Sequence, residues 1–290
     1  MTWFADGAMT SRPLFCDSVS RASADLRAPL RPTARAPNLP QTGEDDMADD
    51  ILLTEDFDGI QRLTFNRPDR LNAINQPMAE GLLAHFEGLR RREDVRVVII
   101  RGAGRAFSAG ADLKAMGQPD MLRDGPRGDW VLRDLMKAMR ACPQPLISTV
   151  RGAAAGGGLA IALASDVIVA SESTVFHPAF LAIGLSGAEL GVSWRLQRAM
   201  GLSKAREVLL AGRPLNAEAS LASGLVSAVT PEAELDDYGL ALARDMAKAQ
   251  PDALRLTKRS LDATLEAMSY DTALEIEERA QMLMIARRRT

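Results

Sequence analysis

The stretch Ala106-Phe107-Ser108-Ala109-Gly110-Ala111-Asp112-Leu113-Lys114 decides how this chain is read. It follows the apolar run Val95 to Ile100 and the turn Gly102-Ala103-Gly104, so a buried strand delivers the backbone to a sheet edge just before it. The run Ser-Ala-Gly-Ala carries almost no side chain. A ligand can therefore come close to the backbone and be gripped by peptide N–H groups. Asp112 is a candidate N-cap for a short helix, and Lys114 sets one positive charge beside it. Taken alone, the stretch reads equally well as a small-residue turn with a helix cap.

Working outward, the spacing predicts regular structure from Ile51 on. Ile51 to Thr54 and Ile60 to Phe65 are apolar-rich runs separated by Asp56-Phe57-Asp58-Gly59, which predicts a hairpin. Asn66-Arg67-Pro68-Asp69 breaks the second strand. Gln76 to Arg91 has helical spacing, with Met78, Leu82, Leu83, Phe86 and Leu89 on one side, and His85 among them reads as structural or solvent-facing. Beyond the central stretch, Gln118 to Gly128 is rich in Pro, Gly, Asp and Arg and reads as a surface loop. A helix is expected from Trp130 to Arg140 and a buried strand from Leu146 to Val150.

That strand runs into Arg151-Gly152-Ala153-Ala154-Ala155-Gly156-Gly157-Gly158-Leu159-Ala160, so strand, small-residue turn and helix start occur twice. A helix beginning at glycines points free N–H groups and the positive end of its dipole outward. One N–H from each turn, converging on a single oxygen, would stabilise an enolate or a tetrahedral oxyanion. Losing one such donor costs about 2.7–4 kcal/mol of transition-state stabilisation. Close helix packing and a dinucleotide loop are the alternatives for Gly156 to Gly158, but the spacing is a poor match to G-x-G-x-x-G.

Composition sets the outer bounds. The 290 residues, 25% charged and 47% apolar, suit a soluble globular protein. A net charge of −3 with interspersed signs gives no general field for nucleic acid or an anionic membrane, so a polyanionic ligand must be met by local cations. Cys16 and Cys142 lack metal-ligand spacing and suit a reducing, cytoplasmic compartment. No apolar run approaches the roughly 18 residues of a membrane-spanning helix. Residues 1–46 carry five arginines and five prolines without apolar periodicity and read as a disordered extension, with Met47 a complete start. Asp6, Asp17 and Asp25 argue against an organellar leader there.

Asn66-Arg67-Pro68 with Leu71-Asn72-Ala73-Ile74-Asn75, then Ala106 to Lys114, then Gly152 to Leu159 followed by Asp166, resemble the crotonase, or enoyl-CoA hydratase/isomerase, family in order and spacing. The resemblance covers about Ile51 to Arg259. It implies an α/β fold: a spiral of ββα units over 47–249, holding the CoA site, followed by a C-terminal helical trimerisation region over 250–290. Trimers or dimers of trimers are implied as well. The implied substrate is an acyl-CoA, with no separate cofactor and no metal, whose thioester oxygen lies between the N–H groups of Ala111 and Gly157. Ala109, Asp112 and Leu113 would line the CoA channel, while Lys114 and Arg70 would meet CoA phosphates.

The family's hydratases activate water with two glutamates, and the matching positions here are Ala160 and Phe180. Neither can move a proton. Glu189, in Gly184-Leu185-Ser186-Gly187-Ala188-Glu189-Leu190-Gly191, falls near the place where some isomerases of the family carry an acid. It reads as the proton shuttle or, alternatively, as a helix N-terminal glutamate that only favours the dipole. His177 is a further candidate for contact with substrate, the alternative being a histidine packed at a strand end.

Short helices over Leu196 to Met200, Ala205 to Leu210 and Ala217 to Ala222, a strand Leu225 to Val229, and long helices from Glu232 to Ala249, Ala253 to Met268 and Tyr270 to Arg289 complete the chain. Met268, Met282 and Met284 are expected in a core or subunit contact, and Arg287 to Arg289 at a solvated terminus. The chain stops earlier than many relatives, which would remove a last helix. The competing functions are a non-catalytic CoA-binding protein that has lost the hydratase glutamates, and a serine hydrolase on Ser108 or Ser186, for which no G-x-S-x-G elbow is present.

Overall fold

The structure is a computed structural model that describes residues 51–114 and 130–287. The expectations for residues 1–46, for the loop 118–128 and for the last three residues fall outside these ranges. The described residues all belong to one compact unit.

The hairpin pairs β1 (Leu52–Phe57) with β2 (Ile60–Phe65), and every residue from Leu52 to Phe57 has a partner. The first strand therefore runs further than its apolar run suggested. The turn shrinks to Asp58-Gly59, both at positive φ (53° and 76°), as a two-residue hairpin turn requires. Helix α1 (Gln76–Leu89) starts on the Asn75 side chain, which accepts the Met78 N–H, with Pro77 in the first turn. Strand β3 (Val97–Gly102) lies parallel to β2, followed by helix α2 (Trp130–Ala141) and strand β4 (Leu146–Val150).

Four strands escaped the sequence reading. The chain does not turn directly from β4 into a helix but first forms β5 (Ala153–Ala155), and helix α3 (Gly157–Ala164) follows. Next come β6 (Val167–Ser171) and β7 (Val175–His177), and later the two-residue β8 (Leu215–Asn216). The last strand, β9 (Ala228–Thr230), sits later than Leu225 to Val229 suggested. Six strands make one sheet in the order β1-β2-β3-β4-β6-β9, parallel except for β1, while β5-β7-β8 make a second. Each of the runs β4-β5-α3 and β6-β7 thus gives one strand to each sheet before the chain moves on, which generates the ββα spiral.

Both faces of the large sheet are covered, which explains why Val97 to Ile100 of β3 are apolar without alternation. Val98 and Ile100 face the main core with Leu63, Phe65, Leu146 and Val150. Val97 and Ile99 face a smaller cluster with Ile60, Ile147 and Val169, closed by Leu235 and Ala243 of helix α7 (Leu235–Ala247). Between these lie α4 (Val192–Met200), α5 (Leu202–Ala211) and α6 (Ala217–Ala222). Helices α8 (Pro251–Thr264) and α9 (Tyr270–Arg287) pack on each other. Buried Lys258 anchors α8, donating to the Asp166 carboxylate (2.7 Å) and the Gln144 carbonyl (2.9 Å).

The methionine stripe departs from a core reading. Met268 is 98% exposed, Met282 is exposed, and no described residue of α9 is buried. Ile276, Ala280 and Met284 are half-buried, while Leu274, Met282, Leu283 and Ile285 stay exposed in the subunit. No helix among the described residues is long and apolar enough to cross a membrane.

Candidate active site

The support for the central stretch comes from the loop after β2. Leu71 and Asn72 stand consecutively in the left-handed region (φ 51° and 54°), which Asn tolerates better than most side chains. Fully buried Asn72 donates through Nδ2 to the carbonyls of Ala103 (2.9 Å) and Ala106 (2.8 Å), and its Oδ1 accepts the Arg67 N–H (2.9 Å). Ser108 Oγ donates to the Asn72 carbonyl (2.8 Å) and accepts the Gly110 N–H (3.2 Å). One asparagine and one serine thus hold the whole turn after β3.

Two β-bridges then fix which way its amides face. The Ile74 N–H donates to the Gly110 carbonyl (2.7 Å), and the Asp112 N–H donates to the Ile74 carbonyl (2.9 Å). Ala111 is thereby bridged to Ile74 in parallel register, in which Ala111's own N–H faces away from Ile74. On the other side Ser108 bridges to Ala154. Its N–H donates to Ala153 (3.1 Å), and its carbonyl accepts from Ala155 (2.9 Å). The first bond of α3 runs from the Ala160 N–H to the Gly156 carbonyl (3.0 Å), so the Gly157 N–H stands at the positive end of the helix, ahead of that first bond.

Glycine is required where these turns touch. A Cβ on Gly158 would lie 2.6 Å from the Ser108 Cβ and 2.7 Å from its carbonyl oxygen. A Cβ on Gly110, at φ 86°, would lie 2.6 Å from the Ala155 carbonyl oxygen and 3.3 Å from the Gly157 nitrogen. The two small-residue turns are therefore in direct contact.

Below them lies a cavity of about 100 Å³. It brings together Ala109, Ala111, Leu113, Gly157 and Glu189 of the expected site residues, against apolar walls that include Leu132, Phe180 and Leu190. Arg70, Asp112, Lys114 and His177 are not in its walls. Arg70 and Lys114 are exposed, whereas His177 is half-buried on β7, with its carbonyl accepting the N–H groups of Gly156 and Ala179. The Asp112 carboxylate is held by the Arg67 guanidinium at 3.0 Å, and that guanidinium also donates to the Ala73 carbonyl (2.5 Å). Residues 113–114 form a turn, and any helix for Asp112 to cap would fall in 115–129, outside the described residues.

Among the described residues Glu189 is the one acid in the cavity wall. Helix α4 starts at Val192 behind the cap Gly191, so Glu189 precedes that cap by two residues, and no acid occupies the first turn. Glu189 therefore stands just ahead of the helix and not within its first turn. Its Oε1 accepts the Leu190 N–H (3.2 Å). Leu190 and Gly191 both stand at positive φ (51° and 80°), and this pair of left-handed residues turns the chain sharply before α4. Ala160 and Phe180 are buried and carry no titratable group.

The sequence model of the enoyl-CoA hydratase/isomerase family matches residues 55–289. This chain belongs to that family. It is 38% identical over 240 residues to a Mycobacterium tuberculosis protein named a probable enoyl-CoA hydratase, covering 81% of this chain and 84% of that one. The 1,2-epoxyphenylacetyl-CoA isomerase of Escherichia coli is 32% identical, over 81% of this chain and 90% of that one. Among solved structures, a monofunctional enoyl-CoA isomerase from M. smegmatis superposes with a TM-score of 0.67 at 36% identity, covering 78% of this chain and 99% of that one. The crotonase-like fold and an enzyme of the enoyl-CoA hydratase/isomerase type follow from these matches.

The family's signature segments also show what sequence reading missed. Arg67 and Asn72 belong to the first motif, yet their part is to hold the central stretch in place. The available signal was an asparagine between apolar residues in a segment with no regular period, where a side chain that bonds backbone groups is favoured.

Proposed function

We propose that the enzyme moves the double bond of an enoyl-CoA, with the thioester oxygen held between the N–H groups of Ala111 and Gly157 and with Glu189 as the single proton carrier. One observation carries this reading. The two turns and the Glu189 side chain line one cavity together with Phe180, at one of the hydratase glutamate positions, while Ala160, at the other, lines the neighbouring cavity.

The chemistry balances within that set. The Glu189 carboxylate takes a proton from the carbon α to the thioester of a 3-enoyl group. The electron pair of that C–H bond delocalises through the carbonyl, giving a dienolate with negative charge on the thioester oxygen. The two backbone donors are fixed before reaction and stabilise this charge without reorganising. Glu189, now protonated, returns the proton to the γ carbon, and the 2-enoyl isomer results. A fixed carboxylate contributes about 10²–10⁴-fold to such a transfer. The reaction needs no cofactor, CoA being part of the substrate, and Arg70 and Lys114 are exposed cations that suit its phosphates.

Assembly through the C-terminal helices into trimers or hexamers is part of the same reading. It is supported by α9, whose Leu274, Met282 and Leu283 are exposed in the single subunit. Light scattering on the purified protein tests it. The reaction is tested by incubating the enzyme with trans-2-enoyl-, cis-3-enoyl- and 3-hydroxyacyl-CoA and resolving products by mass and retention. Interconversion of the two enoyl isomers is expected. Water addition without isomerisation would overturn the Glu189 assignment.

A further inference from the structure

The cavity beneath the two turns is bounded on one side by Leu190, and the same residue walls a second cavity of about 110 Å³. Among the described residues Leu190 alone lines both. The second cavity has an apolar part formed by Met136, Ala160 and Leu163, and a polar part that includes Arg140, Lys258 and Asp262. Those last three also line a wide cleft of about 890 Å³ beside α8 and α9. The three spaces are thus linked in series by shared wall residues, with Leu190 at the first junction.

We propose that Leu190 is the partition that restricts the enzyme to short acyl groups, and that the space beyond it is a latent site for the tail of a medium-chain acyl group. The inference rests on the reading that the thioester is held at the two turns. The first cavity, of about 100 Å³, is smaller than the roughly 150 Å³ cavity that accepts one benzene molecule, so the room between Glu189 and Leu190 is that of a short acyl group. Ala160, where the family's hydratases carry glutamate, leaves open on the other side a volume that a long side chain would fill. A tail that passed Leu190 would find the apolar side chains of Met136, Ala160 and Leu163, while the polar residues of this cavity are those it shares with the wide cleft. Each methylene that finds such a wall gains about fourfold in affinity.

The backbone favours a clean test. Leu190 stands at φ 51°, a conformation that glycine takes freely and leucine does not, so Leu190→Gly removes the wall without adding strain. Leu190→Asn, which also suits that conformation, serves as a second variant should glycine loosen the turn.

Butyryl-, hexanoyl-, octanoyl- and decanoyl-CoA, which lack the double bond and do not react, are titrated calorimetrically into the parent, Leu190→Gly, and Leu190→Gly with Ala160→Leu. The parent is expected to gain nothing beyond about four to six carbons. Leu190→Gly should raise the decanoyl-to-butyryl affinity ratio at least tenfold, and Ala160→Leu, by refilling the second cavity, should return that ratio toward the parent's. A parent that gains steadily out to ten carbons, or a ratio unmoved by both Leu190 variants, overturns the partition while leaving the thioester site standing. If the parent binds no acyl-CoA of any length, the thioester site itself is wrong and the partition falls with it.

Discussion

The Arg67 guanidinium lies 3.0 Å from the Asp112 carboxylate, and the two side chains are only 10% and 12% exposed. The pair ties the loop after β2 to the segment that carries Ala111, across 45 residues of sequence. Removing one partner of a buried pair strands the other charge, whereas replacing both by apolar groups is far milder. Arg67→Met is therefore expected to cost about 3 kcal/mol or more and to lower kcat/KM as Ala111 shifts. The double replacement with Asp112→Leu should recover a large part of the stability. Chemical denaturation of the three proteins checks this, and equal losses for single and double variants would contradict it.

Glu189→Gln keeps size and hydrogen bonding but cannot accept a proton. Isomerisation should fall by about 10²–10⁴-fold, with KM little changed. Turnover at the parental rate would remove Glu189 from the mechanism.

Glycines at the contact between the turns should differ in a graded way. Gly158→Ala drives a methyl group to 2.6 Å from the Ser108 Cβ, so the turns must separate and both stability and activity should be lost. A Cβ on Gly156 meets nothing within 4 Å, and only its left-handed backbone (φ 48°) opposes a side chain. Gly156→Ala is expected to cost about 1–3 kcal/mol and to remain folded. Thermal melts of the two variants side by side separate steric from conformational cost.

His85 on α1 should make stability fall in mild acid. Burial, partly offset by Asp56, pushes its pKa down from 6.5 to about 4, and its Nε2 finds no partner among the described residues. The unfolded chain binds the proton near pH 6.5 while the folded one resists it until about pH 4. The stabilisation from neutral His85 is thus complete above pH 6.5 and is lost as pH falls from 6.5 toward 4, with a slope of at most about 1.4 kcal/mol per unit. His85→Phe should flatten the stability profile in that window, as measured by denaturant midpoints at several pH values.

Short-range chemistry made much of the molecule readable. Apolar runs located β2 and β4, and period-3.6 patterns α1 and the long C-terminal helices, because burial dictates them locally. The unbroken apolar run of β3 announced a strand covered on both faces, and small residues marked both turns, since only they let two backbones touch. The family resemblance set alanine and phenylalanine at 160 and 180, where its hydratases carry glutamate.

What sequence could not decide depended on groups far apart in the chain. The strands β5, β7 and β8 are two or three residues long and exist only because they pair with one another. The fate of Asp112 was set by Arg67, and that of Met268 by the absence of any facing surface within the subunit. Glu189 stands in the cavity because two consecutive left-handed residues turn the chain before α4, a conformation that leucine's local preferences oppose. The family resemblance pointed to Ala111 and Gly157 as the proposed donors. Only the tertiary structure gave their surroundings, because the bridges from Ile74 and Ala154 that orient them join segments distant in sequence.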